Sequence, residues 1–358
     1  MSERILITSP SLKTAENVSG ISSVTSFIIN NNTQYDYKHF ELGRKDSEKR
    51  GLLWVIRLFS KSLSWFYIII FKKINLIHFN LALSKASIIR DAPLILFAKL
   101  FRKKLVIHLH GGDYLTKEKI PAWMRKTLKK LLSGKSPVIV LSSLEAGLIK
   151  KKYNAKAVNI LPNCVDLKDA ELFNRDFEKE VPVNVLFIGR ITADKGFNYI
   201  VEALKKLQQT QTSFTFTIAG TGPDEKLYVE KFSQMLGKDF NFKGVVFGDE
   251  KSNLFKMCNI FLLPSLFEGL PMSLLESMSY GMVPIVTPVG SMKDVVRNGE
   301  NGIIVNINPE VEIAEAIEML AQDRLLMEKL SKNAAEYIKE NYDPENYIKE
   351  LNRIYTAA

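Results

Sequence analysis

Short β-branched and apolar runs recur along the whole chain, each followed by a longer stretch with helical spacing, and this alternation constrains the fold most. The strand candidates are Ile5–Thr8, Leu76–Phe79, Leu105–Leu109, Val138–Leu141, Val158–Leu161, Val183–Ile188, Phe214–Ala219, Val245–Phe247, Ile260–Leu263, Pro284–Thr287 and Gly302–Val305. Helical patterns fill most of the gaps, among them Phe197–Gln208, Asp224–Leu236, Pro271–Tyr280 and Val311–Leu320. Strands that alternate with helices build βαβ units and parallel sheets. The sharpest break lies at residues 162–182, where Pro162-Asn163-Cys164-Val165-Asp166 precedes a charged stretch, Lys168–Glu180, and a new strand opens at Val183. The expectation is two α/β domains, residues 1–165 and 166–343, and a final helix over 344–358. Tyr347, Ile348, Leu351, Ile354 and Tyr355 recur there at helical spacing, which suits a helix packed back on the first domain.

Charge divides along the same line. Of a net +10, residues 1–165 hold 28 Lys and Arg against 10 Asp and Glu, and residues 166–358 hold 21 against 29. A first half this basic seeks anionic partners: nucleic acid, a membrane surface or anionic small molecules. No nucleic-acid recognition module is visible, so nucleic acid is not an expected partner. The densest run comprises Lys99, Arg102, Lys103, Lys104, Lys117, Lys119, Arg125, Lys126, Lys129, Lys130 and Lys135. It reads either as plain solvated surface or as a docking face for an anionic membrane, and the second is the expectation carried forward. Upstream, Leu52–Phe71 is a wide apolar helix with Arg57, Ser60, Lys61 and Ser64 on a narrow polar stripe. Such a helix either packs against its sheet or lies in a membrane interface. The uncharged remainder, Ser62–Phe71, is too short for a span of about 20 residues.

An apolar content of 46% excludes a disordered chain. Two cysteines, Cys164 and Cys258, exclude a disulfide framework and point to a reducing compartment. Met1-Ser-Glu-Arg leads straight into a strand candidate without a secretory signal pattern. The expected location is therefore cytoplasmic, peripheral at the inner face of a membrane.

Four segments carry chemistry. In Phe267-Glu268-Gly269-Leu270-Pro271-Met272-Ser273-Leu274-Leu275-Glu276, a strand runs into a turn and Pro271 opens a helix that Gly281 closes. The amides of Met272 and Ser273 at such a helix start form a natural phosphate site. Glu268 and Glu276 flank it and can accept hydrogen bonds from sugar hydroxyls; the same spacing also describes a solvated Glu and a helix-surface Glu. In Phe187-Ile188-Gly189-Arg190-Ile191-Thr192-Ala193-Asp194-Lys195-Gly196, Arg190 and Lys195 follow the carboxyl end of a strand, where open α/β sheets bind ligands. Arg as a fork and Lys as a point charge can hold a diphosphate, or both can be ordinary surface charge. In Ile107-His108-Leu109-His110-Gly111-Gly112-Asp113, His108 and His110 share one strand face. His110 is then a ligand contact, a structural imidazole or a metal ligand; His39 and His78 show no ligand spacing toward it. In Asn17-Val18-Ser19-Gly20-Ile21, Gly20 precedes a helix and can bring backbone amides near phosphate.

In this order the segments resemble glycosyltransferase family 4, the retaining nucleotide-sugar transferases of GT-B fold. Glu268 and Glu276 match its E-x7-E signature, and Gly189, Arg190, Lys195 and Gly196 its G-R-x4-K-G motif. Ala219-Gly220-Thr221-Gly222-Pro223 is similar to its glycine turn, Pro162–Asp166 to its interdomain P-N-G-V-D, and His110–Asp113 to its strand-end H-G-x-D. Cys164 stands where the linker usually has glycine, and Ser19-Gly20 where a glycine pair is common. The resemblance implies two Rossmann-like domains with parallel sheets facing across a cleft. It implies that Arg190 and Lys195 bind the donor diphosphate and that Glu276 accepts from the ribose. Glu268 then contacts the transferred sugar, with Gly189, Gly269 and Leu270 beside the donor. The amides of Met272 and Ser273 meet a phosphate, the Gly20 loop closes on it, and His110 lies near the sugar and acceptor.

The expected reaction moves a sugar from a nucleotide-sugar, UDP-linked by default and GDP-mannose as the other donor, to a lipid-linked or growing surface glycan. No cofactor is expected, the nucleotide-sugar being a co-substrate. No Asp-x-Asp sequence is present to hold a metal, and cations with a helix end can offset the leaving-group charge. The competing readings are a sugar-nucleotide epimerase on the same fold and a non-catalytic glycan- or lipid-binding protein. A dehydrogenase is disfavoured because Gly220-Thr221-Gly222 lacks the third glycine of G-x-G-x-x-G.

Overall fold

The computed structural model describes residues 3–14, 16–17, 19–43, 45, 48, 51–117, 119–177, 182–306 and 309–358; Val18 and the end of the charged stretch, residues 178–180, lie outside them. The chain folds as two units: Met1–Asn163 with Glu345–Ala358, and Cys164–Pro344.

The first unit is a six-stranded sheet of β1 (Arg4–Ser9), β2 (Asp36–Glu41), β3 (Leu76–Leu81), β4 (Lys104–Leu109), β5 (Val138–Val140) and β6 (Val158–Ile160), in the order β2-β1-β3-β4-β5-β6. Every pairing is parallel. Its helices are α1 (Gly20–Asn31), α2 (Leu52–Phe71), α3 (Lys85–Leu100), α4 (Asp113–Thr116), α5 (Ala122–Leu132) and α6 (Ser143–Tyr153). β3 is buried at every position, so it reads as a continuous run, as parallel strands covered on both faces do. β2 escapes sequence detection because its Asp36-Tyr-Lys-His-Phe-Glu is polar. It lies at the sheet edge, where alternate residues face water.

One expectation in this unit changes, and one open alternative takes a mixed form. Gly20 is the first residue of α1, not part of a preceding loop, because the Ser19 hydroxyl accepts the Ser22 amide and starts the helix there. α2 packs against its sheet by one face only. Trp65, Ile68 and Ile69 face inward, while Leu52, Ile56, Phe59, Leu63 and Tyr67 are exposed.

The second unit has β7 (Val183–Ile188), β8 (Phe214–Ala219), β9 (Phe240–Gly244), β10 (Ile260–Leu263), β11 (Val283–Val286) and β12 (Ile303–Ile304), ordered β12-β11-β10-β7-β8-β9 and again parallel throughout. The strands alternate with α7 (Phe197–Leu207), α8 (Glu225–Leu236), α9 (Gly248–Met257), α10 (Met272–Ser279), α11 (Met292–Val295), α12 (Glu310–Gln322) and α13 (Arg324–Asn341). The strand expected at Val245–Phe247 is displaced to β9. The half-exposed edge strand carries little apolar signal, and the apolar run after it is the short loop that leads into α9.

α14 (Pro344–Thr356) returns to the first unit. The Tyr355 hydroxyl lies 2.5 Å from His78 Nδ1, and Asn32 Nδ2 donates to Asn352 Oδ1 at 2.7 Å. Cys164 and Cys258 are both free, buried thiols.

Candidate active site

In the second unit, the loops at the carboxyl ends of adjacent strands β7 and β10 carry most of the expected donor residues, and the loop after the next strand, β11, packs against them. After β7 the chain makes a single 3-10 turn at Ala193–Lys195 and enters α7 through Gly196 in a left-handed conformation. A Cβ on Gly196 would lie 2.0 Å from the Pro264 carbonyl oxygen, so only glycine lets the β7 loop press against the β10 loop. The Leu266 amide donates to the Asp194 carbonyl at 2.8 Å and ties the same two loops. Gly290 does the equivalent from the β11 loop: its φ is +58° and a Cβ would meet the Glu268 carbonyl oxygen at 2.0 Å. The Ser291 amide then donates to Gly269 O at 3.0 Å.

The result is a direct pair. Lys195 Nζ is 2.6 Å from Glu268 Oε1, with the two side chains 20% and 10% exposed. Ser265 Oγ donates to the same carboxylate oxygen at 2.8 Å, and Thr287 Oγ1 donates to Ser265 O behind it. Charges this shielded from water attract more strongly than an exposed pair, and each keeps the other from being a lone buried charge. Arg190 is exposed on the same loop as Lys195.

α10 begins one residue later than expected. Pro271 has extended backbone angles and is the residue before the helix, its carbonyl accepting the Leu274 amide at 3.2 Å. The first helical amides, Met272 and Ser273, have no intrahelical acceptor and carry the positive end of the helix dipole. The Leu270 side chain is buried, so only its backbone can face a ligand. Glu276, on the next turn of α10, pairs with Lys251 of α9 at 2.6 Å. Lys251 and Ser265 were invisible as site residues in the sequence. Lys251 reaches Glu276 from a different helix, while Ser265 sits only three residues before Glu268 on the same loop, and no motif marks it.

The motif glycines divide into two kinds. A Cβ on Gly220 would meet Gly189 O at 1.9 Å, so Gly220 serves loop packing. A Cβ on Gly189 would meet only the Phe187 ring, at 3.6 Å, which is ordinary contact. The fold itself therefore tolerates a side chain at Gly189.

Gly20 and His110 belong to the first unit. His110 Nε2 is 2.7 Å from Asn80 Oδ1. Asn80 Nδ2 lies 2.6 Å from Thr8 O and 3.0 Å from Thr25 Oγ1, and Thr25 spends its own proton on Ile21 O at 2.8 Å. Both partners of Nδ2 are acceptors, so the amide orientation is fixed and Oδ1 must accept from His110. Nε2 of His110 is thus the protonated nitrogen and Nδ1 carries the lone pair. Burial, and next the neighbouring His78, pull His110 down to about 3, so the ring is neutral near pH 7.

His108 lies tilted against His110 with ring centroids 4.1 Å apart, in keeping with their shared strand face. Unexpectedly, His78 joins them: its Nε2 is 3.2 Å from His108 Nδ1. No group of three His, Cys, Asp or Glu placed to hold a metal exists among the described residues.

Residues 169–337 match the family model of glycosyl transferases group 1. The chain is 30% identical over 176 residues to an uncharacterized glycosyltransferase of Methanocaldococcus jannaschii, covering 49% of this chain and 45% of that protein. It is 26% identical over 258 residues to the GalNAc-alpha-(1->4)-GalNAc-alpha-(1->3)-diNAcBac-PP-undecaprenol alpha-1,4-N-acetyl-D-galactosaminyltransferase of Campylobacter jejuni, covering 71% of this chain and 69% of that one. The match thus spans about half the length of the first relative and about two thirds of the second. Among solved structures, Anabaena HepE in complex with UDP-glucose superposes with a TM-score of 0.76 at 16% identity, covering 99% of this chain and 100% of that one. At that identity the likeness concerns the fold, a GT-B pair of parallel α/β sheets.

Proposed function

We propose that this chain, whose residues 169–337 match the group 1 glycosyl transferases, moves a sugar from a nucleotide-sugar, a UDP-sugar in the first instance, to an acceptor hydroxyl with retention at the anomeric carbon. The observation that carries this reading is the Lys195–Glu268 pair, 2.6 Å apart at the carboxyl ends of β7 and β10 and in the loop that leads into α10. A diphosphate at the Met272 and Ser273 amides meets the positive helix end, with Arg190 and Lys195 as its counter-charges.

The bond from the sugar's C1 to the diphosphate oxygen breaks. The acceptor oxygen joins C1 from the same face, and its proton passes to the departing diphosphate. Arg190, Lys195 and the α10 amides stabilise the charge that grows on the leaving group, and they do so before the reaction begins. In this scheme no metal is needed for that task. Glu268 accepts from hydroxyls of the sugar, and Glu276 from those of the ribose, each trading its lysine partner for the donor. His110 offers a neutral Nδ1 acceptor to a sugar hydroxyl.

The proposed acceptor is a lipid-linked or growing surface glycan, in keeping with the undecaprenol-diphosphate substrate in the name of the Campylobacter relative. The proposed location is the inner face of an anionic membrane, which suits the basic first half. The test is nucleotide release from a panel of UDP-sugars and GDP-mannose, with and without a chelator and a glycolipid acceptor. Acceptor-dependent release that survives chelation supports the reading. Donor conversion without any acceptor indicates an epimerase and overturns it.

A further inference from the structure

α2 is built inside out for a water-exposed crossover helix. Leu52, Ile56, Phe59, Leu63, Tyr67 and Ile70 follow one another at intervals of three or four residues along one stripe, and all six are exposed. Phe59 is 66% and Leu63 53% exposed. The helix contains no acidic residue, and its two cations point the other way. Arg57 reaches Glu41 at 2.6 Å and Glu48 at 2.7 Å, while Lys61 Nζ lies 5.8 Å from the centre of the Phe40 ring on β2. The charges that ought to keep the outer face wet are thus spent on the inner side.

The 18-residue stretch Trp54–Phe71 is long and apolar enough to cross a membrane by length and composition. Its anchorage argues for a different pose. α2 joins β2 to β3 of one sheet, and Trp65 is fully buried, donating its ring N–H to Leu94 O at 3.1 Å and packing edge-on against Phe40 and Phe79. A helix pinned lengthwise to its sheet can offer its outer stripe to a bilayer but cannot thread through it.

The surroundings choose the occupant. Lys72 and Lys73 are exposed just past the end of α2. Rings Phe66, Phe97 and Phe101 contact in series and lead to the end of α3, where Leu100 is 75% exposed beside Arg102. α3 in turn packs on α5, which presents Trp123 together with Arg125, Lys126, Lys129 and Lys130. Residues 99–135 hold eleven Lys and Arg against two acidic residues. A second copy of this chain would bring an equally basic rim against it and be repelled, whereas anionic headgroups complement it.

We propose that α2 is an in-plane docking helix. Its apolar stripe sinks into the headgroup–acyl boundary of an anionic bilayer, and the basic residues around it meet the lipid phosphates. The proposal deepens the membrane reading above and rests on it, but it is independent of the donor site.

The test is flotation of the full chain with phosphatidylcholine vesicles, with or without 30% phosphatidylglycerol as the probe composition. The wild type should bind the anionic vesicles and bind pure phosphatidylcholine at least about tenfold more weakly. F59E/L63E, at two exposed positions, should lose anionic binding at least about tenfold with an unchanged circular dichroism spectrum and unchanged donor turnover on a soluble acceptor. In a second readout, Leu63→Trp emission should shift to the blue on adding anionic vesicles. Equal binding by F59E/L63E and wild type overturns the proposal. So does a wild type that binds no vesicle but sediments as a dimer that F59E/L63E dissociates. Vesicle binding without donor turnover would sink the enzymatic reading and leave this one standing.

Discussion

Lys195 Nζ and Glu268 Oε1 are 2.6 Å apart, each projected by the loop after one of two neighbouring parallel strands. Without donor they satisfy each other. Under the proposed donor assignment, a bound diphosphate gives the lysine a second anion and releases the carboxylate toward hydroxyls. The pair is thus a preformed charge arrangement and not a chance surface contact.

Lys195→Ala should lower turnover by roughly 100-fold or more, the scale of losing one transition-state charge donor. Arg190→Ala should do the same. Glu268→Gln keeps the shape but removes the charge that holds Lys195, so combining it with Lys195→Ala should cost less than the two singles together. Steady-state rates of the four variants check this. Full activity in both cation variants would refute the assignment.

The two glycines of the β7 loop should part company. Gly196→Ala forces a Cβ to 2.0 Å from Pro264 O at a φ of +83° and should cost about 3 kcal/mol of stability. Gly189→Ala meets only a ring at 3.6 Å, so its thermal midpoint should stay near wild type. If the donor packs against Gly189, the same variant should weaken donor binding. Calorimetric melts with donor titrations separate these outcomes.

Acid should destabilise the first unit. His78 and His110 are each lowered to about 3, chiefly by burial, and His108 is lowered as well. An unfolded histidine titrates near 6.5, so between roughly pH 6.5 and 3 the unfolded chain binds more protons than the folded one. Stability from these rings is fully present above pH 6.5 and is lost as pH falls, by up to about 1.4 kcal/mol per pH unit for each ring. Thermal midpoints measured from pH 7 to 4.5 should fall accordingly, with a shallower slope in His78→Gln. A flat profile contradicts the neutral buried array.

Asn80 should set the proton position on His110. Nitrogen-15 spectra of the four histidines should show His110 protonated at Nε2. Asn80→Asp places a carboxylate where the amide oxygen was, so His110 should hold its proton to higher pH and the acid limb of the activity profile should move up. Asn80→Leu should reduce turnover by about tenfold, the scale of losing an orienting partner. An unaltered histidine spectrum in Asn80→Leu rules out the positioning role.

How far the sequence could be read follows from where the information lies. The core strands β1, β3, β4, β7, β8 and β10 are legible because burial on both faces writes them as apolar runs. Edge strands β2 and β9 are half wet and carry a weaker signal. Lys195 and Glu268 could each be singled out by their motifs, but their mutual pairing depends on β7 and β10 being neighbours, which no local pattern states. Lys251 beside Glu276 and His78 beside His108 were missed for the same reason. Arg175 lay in what read as a charged linker. Its guanidinium instead donates to the carbonyls of Phe255, Cys258 and Tyr280, joining the ends of α9 and α10. Which of its two readings α2 takes was not legible, because composition alone cannot tell which side of an apolar helix its two cations will take.

The most direct measurement is calorimetric titration of wild type and Lys195→Ala with UDP, UDP-sugars and GDP-mannose. The account predicts saturable binding of at least one nucleotide-sugar by the wild type and at least tenfold weaker binding by Lys195→Ala, both folded to the same extent. Equal affinity in the two proteins, or no binding by the wild type across the panel, would contradict it.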